Sequence, residues 1–128
     1  MTQSLTLELL QPLLAVVQLE PGSGMPWWAA TSNFLSFTRT ADEDSLVCEE
    51  ARLPEGLTAQ RRFRALRVEG ALPFHLTGVL ASLTTPLADA DVPVFVVSTY
   101  DTDYVLVGEA VLPKAVEVLR KAGHTVKA

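Results

Sequence analysis

The stretch that most constrains the fold runs from residue 76 to residue 126, because five candidate elements follow one another there with almost no connecting residues. Apolar residues at helical spacing predict an amphipathic helix over 77–90. Two β-branched and aromatic runs, 92–97 and 104–107, predict strands, and their short polar connection predicts a hairpin. A second helix begins near Pro113 and is capped by Gly123, and a strand over 124–127 completes the set.

A further strand is predicted just before this stretch, where apolar and basic residues alternate from Arg61 to Val68. The resulting order of strand, helix, strand, strand, helix, strand is that of the ferredoxin-like split βαβ motif. We therefore expect an α+β fold with an antiparallel sheet and both helices on one face. Thr77 is the expected N-cap of the first helix. Pro86 conflicts with a continuous helix, so a bend or an early end is expected near Thr85.

The N-terminal half has a different pattern. Apolar runs at 5–10 and 13–19 predict at least one strand, and 34–40 with 45–50 predict a hairpin. Residues 20–26 are rich in proline and glycine, which predicts a loop.

Composition and motifs exclude several classes of function. The chain has 15 acidic and 10 basic residues, a net charge of -5 and a pI near 4.9, so phosphate backbones would repel it. No apolar run approaches the roughly 20 residues that a membrane span requires. A single cysteine and no recognisable leader favour a cytoplasmic protein. With two histidines and neither a nucleophile motif nor a phosphate loop, we expect no enzyme, no catalytic residue, no metal and no cofactor.

The residues that break the apolar pattern suggest a binding site for a small zwitterion. Amides near Thr77, Gly78 and Val79, at the start of the first helix, can bind a carboxylate. Asp101 and Asp103, in the strand connection, can bind an ammonium group. Gly78 has two interpretations, close approach of a ligand and tight packing of the helix on the sheet. The complete set of candidate ligand-binding residues is His75, Leu76, Thr77, Gly78, Val79, Ser98, Thr99, Tyr100, Asp101, Thr102 and Asp103.

Structural alternatives stand beside these assignments. The polar connection can also be a solvated turn whose side chains bind their own backbone, and His75 a solvated loop residue. Trp27 and Trp28 could form a lid, but they are expected instead to fill the seam between the two half-domains, one buried and one partly exposed. The acidic residues at 42–44 and 49–50 are expected to be solvated turn and edge charges. Cys48, in an apolar strand, is expected to be an inert small hydrophobe.

The sequence also resembles a known family. Gly78-Val79-Leu80-Ala81 followed by an apolar strand resembles the ACT regulatory domain, and STYDTDYVLV with the flanking VEG, LTGVLASLTTPLA and AGH resembles its CASTOR-like branch. The N-terminal half is similar more loosely, through RTADEDSLVCEE. The resemblance implies two tandem ACT units that sense an amino acid, with the ligand held at a domain or subunit interface. The N-terminal unit implied in this way spans 1–58 and is abbreviated, because its proline- and glycine-rich segment lies where the first helix should be, and the C-terminal unit spans 59–128.

The predicted function is therefore a non-catalytic amino-acid-binding sensor that forms a homodimer. The acidic balance suits a cationic ligand, such as arginine or lysine. One alternative is a self-associating interaction module that pairs through sheet edges and has no small-molecule ligand. A third is a small hydrolase or isomerase, which Asp101→Asn and His75→Ala would inactivate.

Overall fold

The computed structural model describes residues 4–70 and 77–128. The described chain forms eight strands, two α-helices and two single turns of 3₁₀ helix. The strands are β1 (Thr6–Leu9), β2 (Leu14–Leu19), β3 (Leu35–Arg39), β4 (Asp44–Glu49), β5 (Thr58–Val68), β6 (Phe95–Ser98), β7 (Asp103–Gly108) and β8 (Thr125–Lys127), and the helices are α1 (Val79–Asp89) and α2 (Leu112–Lys121). The 3₁₀ turns are Glu50–Arg52, after β4, and Glu109–Val111, after β7.

The chain divides into two compact units. Pro12–Phe63 forms one, hereafter the N-terminal unit, and Met1–Gln11 with Arg64–Ala128 forms the other, hereafter the C-terminal unit. Strand β5 contributes its first residues to the N-terminal unit and its last residues to the C-terminal unit. The boundary at residue 58, which the sequence predicts between its two units, remains a prediction. Strand β1 belongs to the C-terminal unit, because it pairs with the end of β5 and with β8.

In the C-terminal unit, the chain order from β5 onward is strand, helix, strand, strand, helix, strand, as predicted. Strand β1 pairs antiparallel with β5 and parallel with β8, so it lies between them. On the other side, β7 pairs with β5 and β6, and β6 forms an antiparallel hairpin with β7. Apart from the β1–β8 pair, this is the arrangement expected of a ferredoxin-like α+β unit.

Both helices cover the same face of this sheet. The buried core contains residues of α1 and α2 together with every second residue of the central strands. At β5, Leu66 and Val68 face the helices, whereas Arg67 between them pairs with Glu8 at 2.8 Å. The core residues are Leu7, Leu66, Val68, Leu83, Leu87, Val92, Val105, Val107, Ala115, Leu119 and Val126. The predicted fold class is confirmed.

Helix α1 continues through Pro86 to Asp89, so the predicted early end near Thr85 is wrong. Proline has no N–H, and the carbonyl that residue 86 would bond in a regular helix is that of Ser82. Nε2 of His124 lies 2.9 Å from this carbonyl oxygen. Because Nδ1 of the same ring accepts the Leu5 N–H at 3.1 Å, Nε2 carries the proton and donates to Ser82. A histidine side chain thus replaces the hydrogen bond that the proline removes.

The N-terminal unit, which is described throughout, contains no α-helix. Its strands lie in the order β3, β4, β2, β5, and all neighbours are antiparallel. Where a ferredoxin-like unit would have its first helix, the residues between β2 and β3 form a loop with tight turns, as predicted from its proline and glycine content. Ala29 of this loop is buried in the core beside Ala15, Val17, Leu46 and Cys48, and Trp28 packs against them. The expectation for Trp27 is wrong, because that side chain is 84% exposed.

Strand β5 contains a bulge opposite Ala15. The register passes from Leu14 facing Phe63 to Val16 facing Gln60, so two residues of β5 oppose one of β2. Arg62, in this bulge, has φ of 66°, which is unusual for a residue other than glycine. Its N–H donates to the carboxylate of Glu50 at 2.7 Å, and this contact stabilises the turned backbone.

No helix among the described residues is long and apolar enough to cross a membrane.

Candidate functional site

The polar connection between β6 and β7 is a tight, internally bonded turn. Ser98 and Asp103 face each other at its base. The Thr99 N–H donates to the Thr102 carbonyl at 2.8 Å, and the Thr99 hydroxyl lies 3.1 Å from the same oxygen and accepts the Thr102 N–H at 3.3 Å. The Thr99 side chain therefore bonds the backbone of its own turn.

Thr102 also attaches this turn to the central strand. Its side chain is buried, and its hydroxyl donates to the Val68 carbonyl at 2.7 Å. Val68 is the last residue of β5, after which the chain leads toward α1. The hairpin turn thus lies at the end of the sheet where β5 finishes. A polar side chain buried at this position fixes the turn relative to the sheet.

The two acidic residues of the turn differ in their surroundings. Asp101 is exposed, whereas Asp103 is partly buried and accepts a hydrogen bond from the Ser98 hydroxyl at 2.6 Å on Oδ1. Among residues 4–70 and 77–128, no ion pair involves either carboxylate. The nearby basic residues Arg67 and Lys127 pair with glutamates instead. Oδ2 of Asp103 has no hydrogen bond from a described residue.

The start of α1 has an unusual backbone. Gly78, and not Thr77 as predicted, precedes the first helical residue and has φ of 80°. No described atom lies within 4 Å of the place where a Cβ would be, so tight packing does not explain this glycine. Its left-handed conformation does, because other residues adopt it at a cost. Gly78 has no side chain with which to cap the helix, and the N–H groups of the first turn have no partner within the helix itself.

Chain direction places the start of α1 at the same end of the sheet as the hairpin turn. Strand β6 follows α1 and runs toward Ser98, and α1 must therefore run away from that end before β6 returns to it. The predicted residues Thr77, Gly78 and Val79 thus share one end of the C-terminal unit with the predicted turn. Val79 itself is buried, and Tyr100 is 85% exposed. His75 and Leu76 lie outside the described residues.

Sequence reasoning missed the role of the acidic residues in the N-terminal unit, which it assigned to solvent. Asp44 is fully buried, and its Oδ2 accepts the Gly24 N–H at 2.8 Å. Glu49 accepts the Asn33 N–H at 3.0 Å, and Glu50 bonds the bulged strand. These carboxylates hold backbone donors that β-pairing leaves free. One signal in the sequence could have indicated the structural role of Asp44. This aspartate stands just before a predicted apolar strand, as Asp103 does.

The C-terminal unit is thus an α+β unit with two helices on one face of its sheet, and the N-terminal unit of the same chain has strands but no α-helix. A sequence profile of the ACT domain matches residues 58–121, which is half of the chain. A second profile, which describes an N-terminal domain, matches residues 13–56. The chain belongs to the ACT domain family.

Individual relatives agree with this assignment. The human putative protein CASTOR3P is 31% identical over 93 residues, which is 62% of this chain and 57% of the relative, so the chain spans little more than half of that protein's length. The predicted CASTOR-like resemblance is confirmed. The crystal structure of protein Atu0741 from Agrobacterium tumefaciens is 32% identical, with 98% of this chain and 94% of that chain covered and a TM-score of 0.93.

More distant structures share the fold. The ligand-free regulatory subunit of aspartate kinase from Thermus thermophilus has a TM-score of 0.66 at 9% identity, with 94% of this chain and 99% of that chain covered. At this identity the likeness concerns the arrangement of helices and strands.

Proposed function

We propose that this protein is a non-catalytic regulatory module that binds a free amino acid at the end of the C-terminal unit where α1 starts and the β6–β7 turn lies. The observation that carries the proposal is the attachment of the turn to the end of β5 by Thr102. This contact holds acidic side chains at the same end of the sheet as the first-turn amides of α1. A zwitterion needs both kinds of partner.

The carboxylate of the ligand would bind the first turn of α1. An α-helix has a partial positive charge at its start, and its first amides point away from the helix body. Gly78 carries no side chain to obstruct an approaching carboxylate. Family membership and the regulatory kinase subunit among the structural neighbours support an amino acid as the ligand.

The amino group would bind Asp103. Its Oδ1 is held by Ser98, so the carboxylate is fixed in place, and Oδ2 is available as an acceptor. Because no described basic side chain pairs with Asp101 or Asp103, the negative charge of the turn favours a cationic ligand, such as arginine or lysine. We further propose that the protein acts as a cytoplasmic homodimer in which a second subunit covers this end of the unit.

A thermal-shift screen of the twenty amino acids tests the proposal. A ligand present at 100 times its dissociation constant stabilises a protein by about 2.7 kcal/mol, which for a domain of this size raises the melting temperature by several degrees. Asp103→Asn should abolish the response, because Asn keeps an acceptor for Ser98 but removes the charge. Asp42→Asn is the matched control, since Asp42 is an exposed turn aspartate of the other unit.

The absence of any response in the unmodified protein would refute the proposal. A stable dimer whose melting curve ignores all twenty amino acids would instead support the self-associating interaction module. Exposed Phe95 in β6, at the end of the strand order of the C-terminal unit, favours that second candidate, because an open strand edge is a common pairing surface. Sedimentation velocity of Phe95→Lys measures its contribution to self-association.

A further inference from the structure

The two hairpins of this protein are copies of one another in sequence. Residues 39–51 (RTADEDSLVCEEA) and 98–110 (STYDTDYVLVGEA) align without a gap. Both segments consist of the end of one strand, a polar turn, an apolar strand and a glutamate-alanine pair. The identical positions are Thr40 and Thr99, Asp42 and Asp101, Asp44 and Asp103, Glu50 and Glu109, and Ala51 and Ala110.

The copies also share their hydrogen bonds. In the N-terminal unit, the Thr40 N–H donates to the Glu43 carbonyl at 2.9 Å, as Thr99 does to Thr102 at 2.8 Å. The hydroxyls of the two threonines contact the same carbonyls at 3.2 and 3.1 Å. Each hairpin is followed by one turn of 3₁₀ helix that begins at the shared glutamate. The equivalence is therefore structural as well as sequential.

Asp44 and Asp103 hold the same place in the two copies. Each is the first residue of the second strand, and each faces the last residue of the first strand, Arg39 or Ser98. Asp103 is partly buried, and its only hydrogen bond from a described residue comes from Ser98. Asp44 is completely buried and binds the amide of Gly24. The proposed ligand-binding carboxylate thus has a counterpart that already holds an N–H donor of its own chain.

The loop that supplies this donor is folded to present it. The Ser23 N–H and hydroxyl both contact the Glu20 carbonyl, at 3.1 and 2.6 Å, which closes a turn. Gly22 and Gly24 have φ of 81° and 75°, a conformation that other residues adopt at a cost. The loop lies between a strand and the hairpin, as α1 does in the C-terminal unit.

We propose that the N-terminal unit carries a closed copy of the candidate site, in which the Gly24 amide occupies the carboxylate that a ligand's N–H group would bind in the open copy. This inference rests on the proposed function for the identity of the open copy. Its consequence is that one chain binds one ligand, through Asp103 and not through Asp44. It also identifies the group that an aspartate at this hairpin position selects, which is an N–H donor.

The second carboxylate oxygen of Asp44 has no hydrogen bond in the described chain. Oδ1 is buried and has no hydrogen-bond partner among the described residues, and the Arg39 Nε lies 4.0 Å from it. A buried carboxylate oxygen without a donor is costly. Arg39, whose side chain is 66% exposed, supplies a compensating positive charge.

Amide hydrogen exchange tests the closing contact without any ligand. In the unmodified protein, the Gly24 amide should exchange slowly. Asp44→Ala should accelerate its exchange at least tenfold, and the isosteric Asp44→Asn should do so to a smaller extent if the alanine variant does not fold. Asp103→Asn is the matched control and should leave Gly24 unchanged. Fast exchange of Gly24 in the unmodified protein, or exchange that ignores both Asp44 variants, would overturn the inference.

The screen of twenty amino acids supplies the second arm. If an amino acid stabilises the protein, Asp44→Asn should keep that shift and Asp103→Asn should lose it. The opposite result, or a shift that requires both carboxylates, would overturn the closed copy and leave the proposed function intact. If no amino acid stabilises the unmodified protein, the proposed function fails. The hydrogen bond between Gly24 and Asp44 is still tested in that case, because slow exchange at Gly24 that depends on Asp44 would support it.

Discussion

The histidine that replaces a helical hydrogen bond gives a prediction that can be tested as a double-mutant cycle. His124 donates to the Ser82 carbonyl, which Pro86 leaves without its regular partner, and accepts from the Leu5 N–H. His124→Phe keeps an aromatic ring in the space but removes both hydrogen bonds. Pro86→Ala returns an N–H to the helix at the position that bonds Ser82.

The magnitudes follow from the number of buried groups left without partners. His124→Phe leaves one donor and one acceptor unsatisfied, each at about 1–3 kcal/mol, so the free energy of unfolding should fall by about 2–6 kcal/mol. With Pro86→Ala in place, the Ser82 carbonyl keeps a partner and only the Leu5 N–H is orphaned. The cost of His124→Phe should then be smaller by about 1 kcal/mol or more.

Urea denaturation of the four proteins measures the coupling. Thr85→Ala is the matched control, because it raises helix propensity at the neighbouring exposed position but returns no hydrogen bond to Ser82. It should show no coupling with His124→Phe. If Pro86→Ala and His124→Phe are additive to within about 0.3 kcal/mol, the histidine does not replace the missing bond, and the explanation of the continuous helix is wrong.

Three other predictions concern stability. Thr102→Val should lower the free energy of unfolding by about 1–3 kcal/mol in urea titrations, because it orphans a buried carbonyl at the end of β5. Arg62→Gly should unfold at higher urea concentration than Arg62→Ala, by about 1 kcal/mol, since both remove the side chain and only glycine relaxes a φ of 66°; equal stability would contradict a strained backbone. Burial, with a smaller contribution from Glu49, raises the pKa of Cys48 from 9.0 to about 11. The folded protein therefore holds this proton more tightly than the unfolded chain, so stability is fully present below pH 9 and falls between pH 9 and 11, and the fall should be smaller in Cys48→Ala.

The regular elements of the C-terminal unit could be predicted because their signals are local. The ends of α2 agree with the prediction: Pro113 lies in its first turn, and Gly123, with φ of 100°, follows its last turn. The strand predicted from Val92 begins at Phe95 instead. Val92 belongs to the end of α1, since its N–H bonds the Leu87 carbonyl at 2.9 Å, with Asp91 in the left-handed conformation that glycine usually supplies. The first residue of this β-branched run therefore lies in the turn that ends α1 and not in a strand.

The contacts that overrode the sequence patterns join distant parts of the chain, and local patterns do not contain them. His124 is 42 residues from Ser82, and Asp44 is 20 residues from Gly24. An interior proline predicts a helix break unless the structure supplies another donor, and an acidic triplet predicts exposure unless a loop returns to bury it. In both cases the sequence rule was overridden by one long-range hydrogen bond.

The difference between the two copies of the hairpin follows from what lies between the strand and the hairpin in each unit. In the C-terminal unit this segment includes α1, whose backbone N–H groups bond within the helix except in the first turn, and in the described chain none of these N–H groups binds Asp103. In the N-terminal unit a proline- and glycine-rich loop takes the place of the helix, and its amides have no regular partners. Such a loop is free to turn one of them onto the hairpin carboxylate, and Gly24 does so. A helix at this position therefore leaves the hairpin aspartate available, whereas a loop of this composition supplies an N–H that binds it. An insertion that rebuilt a helix between β2 and β3 should open the N-terminal copy.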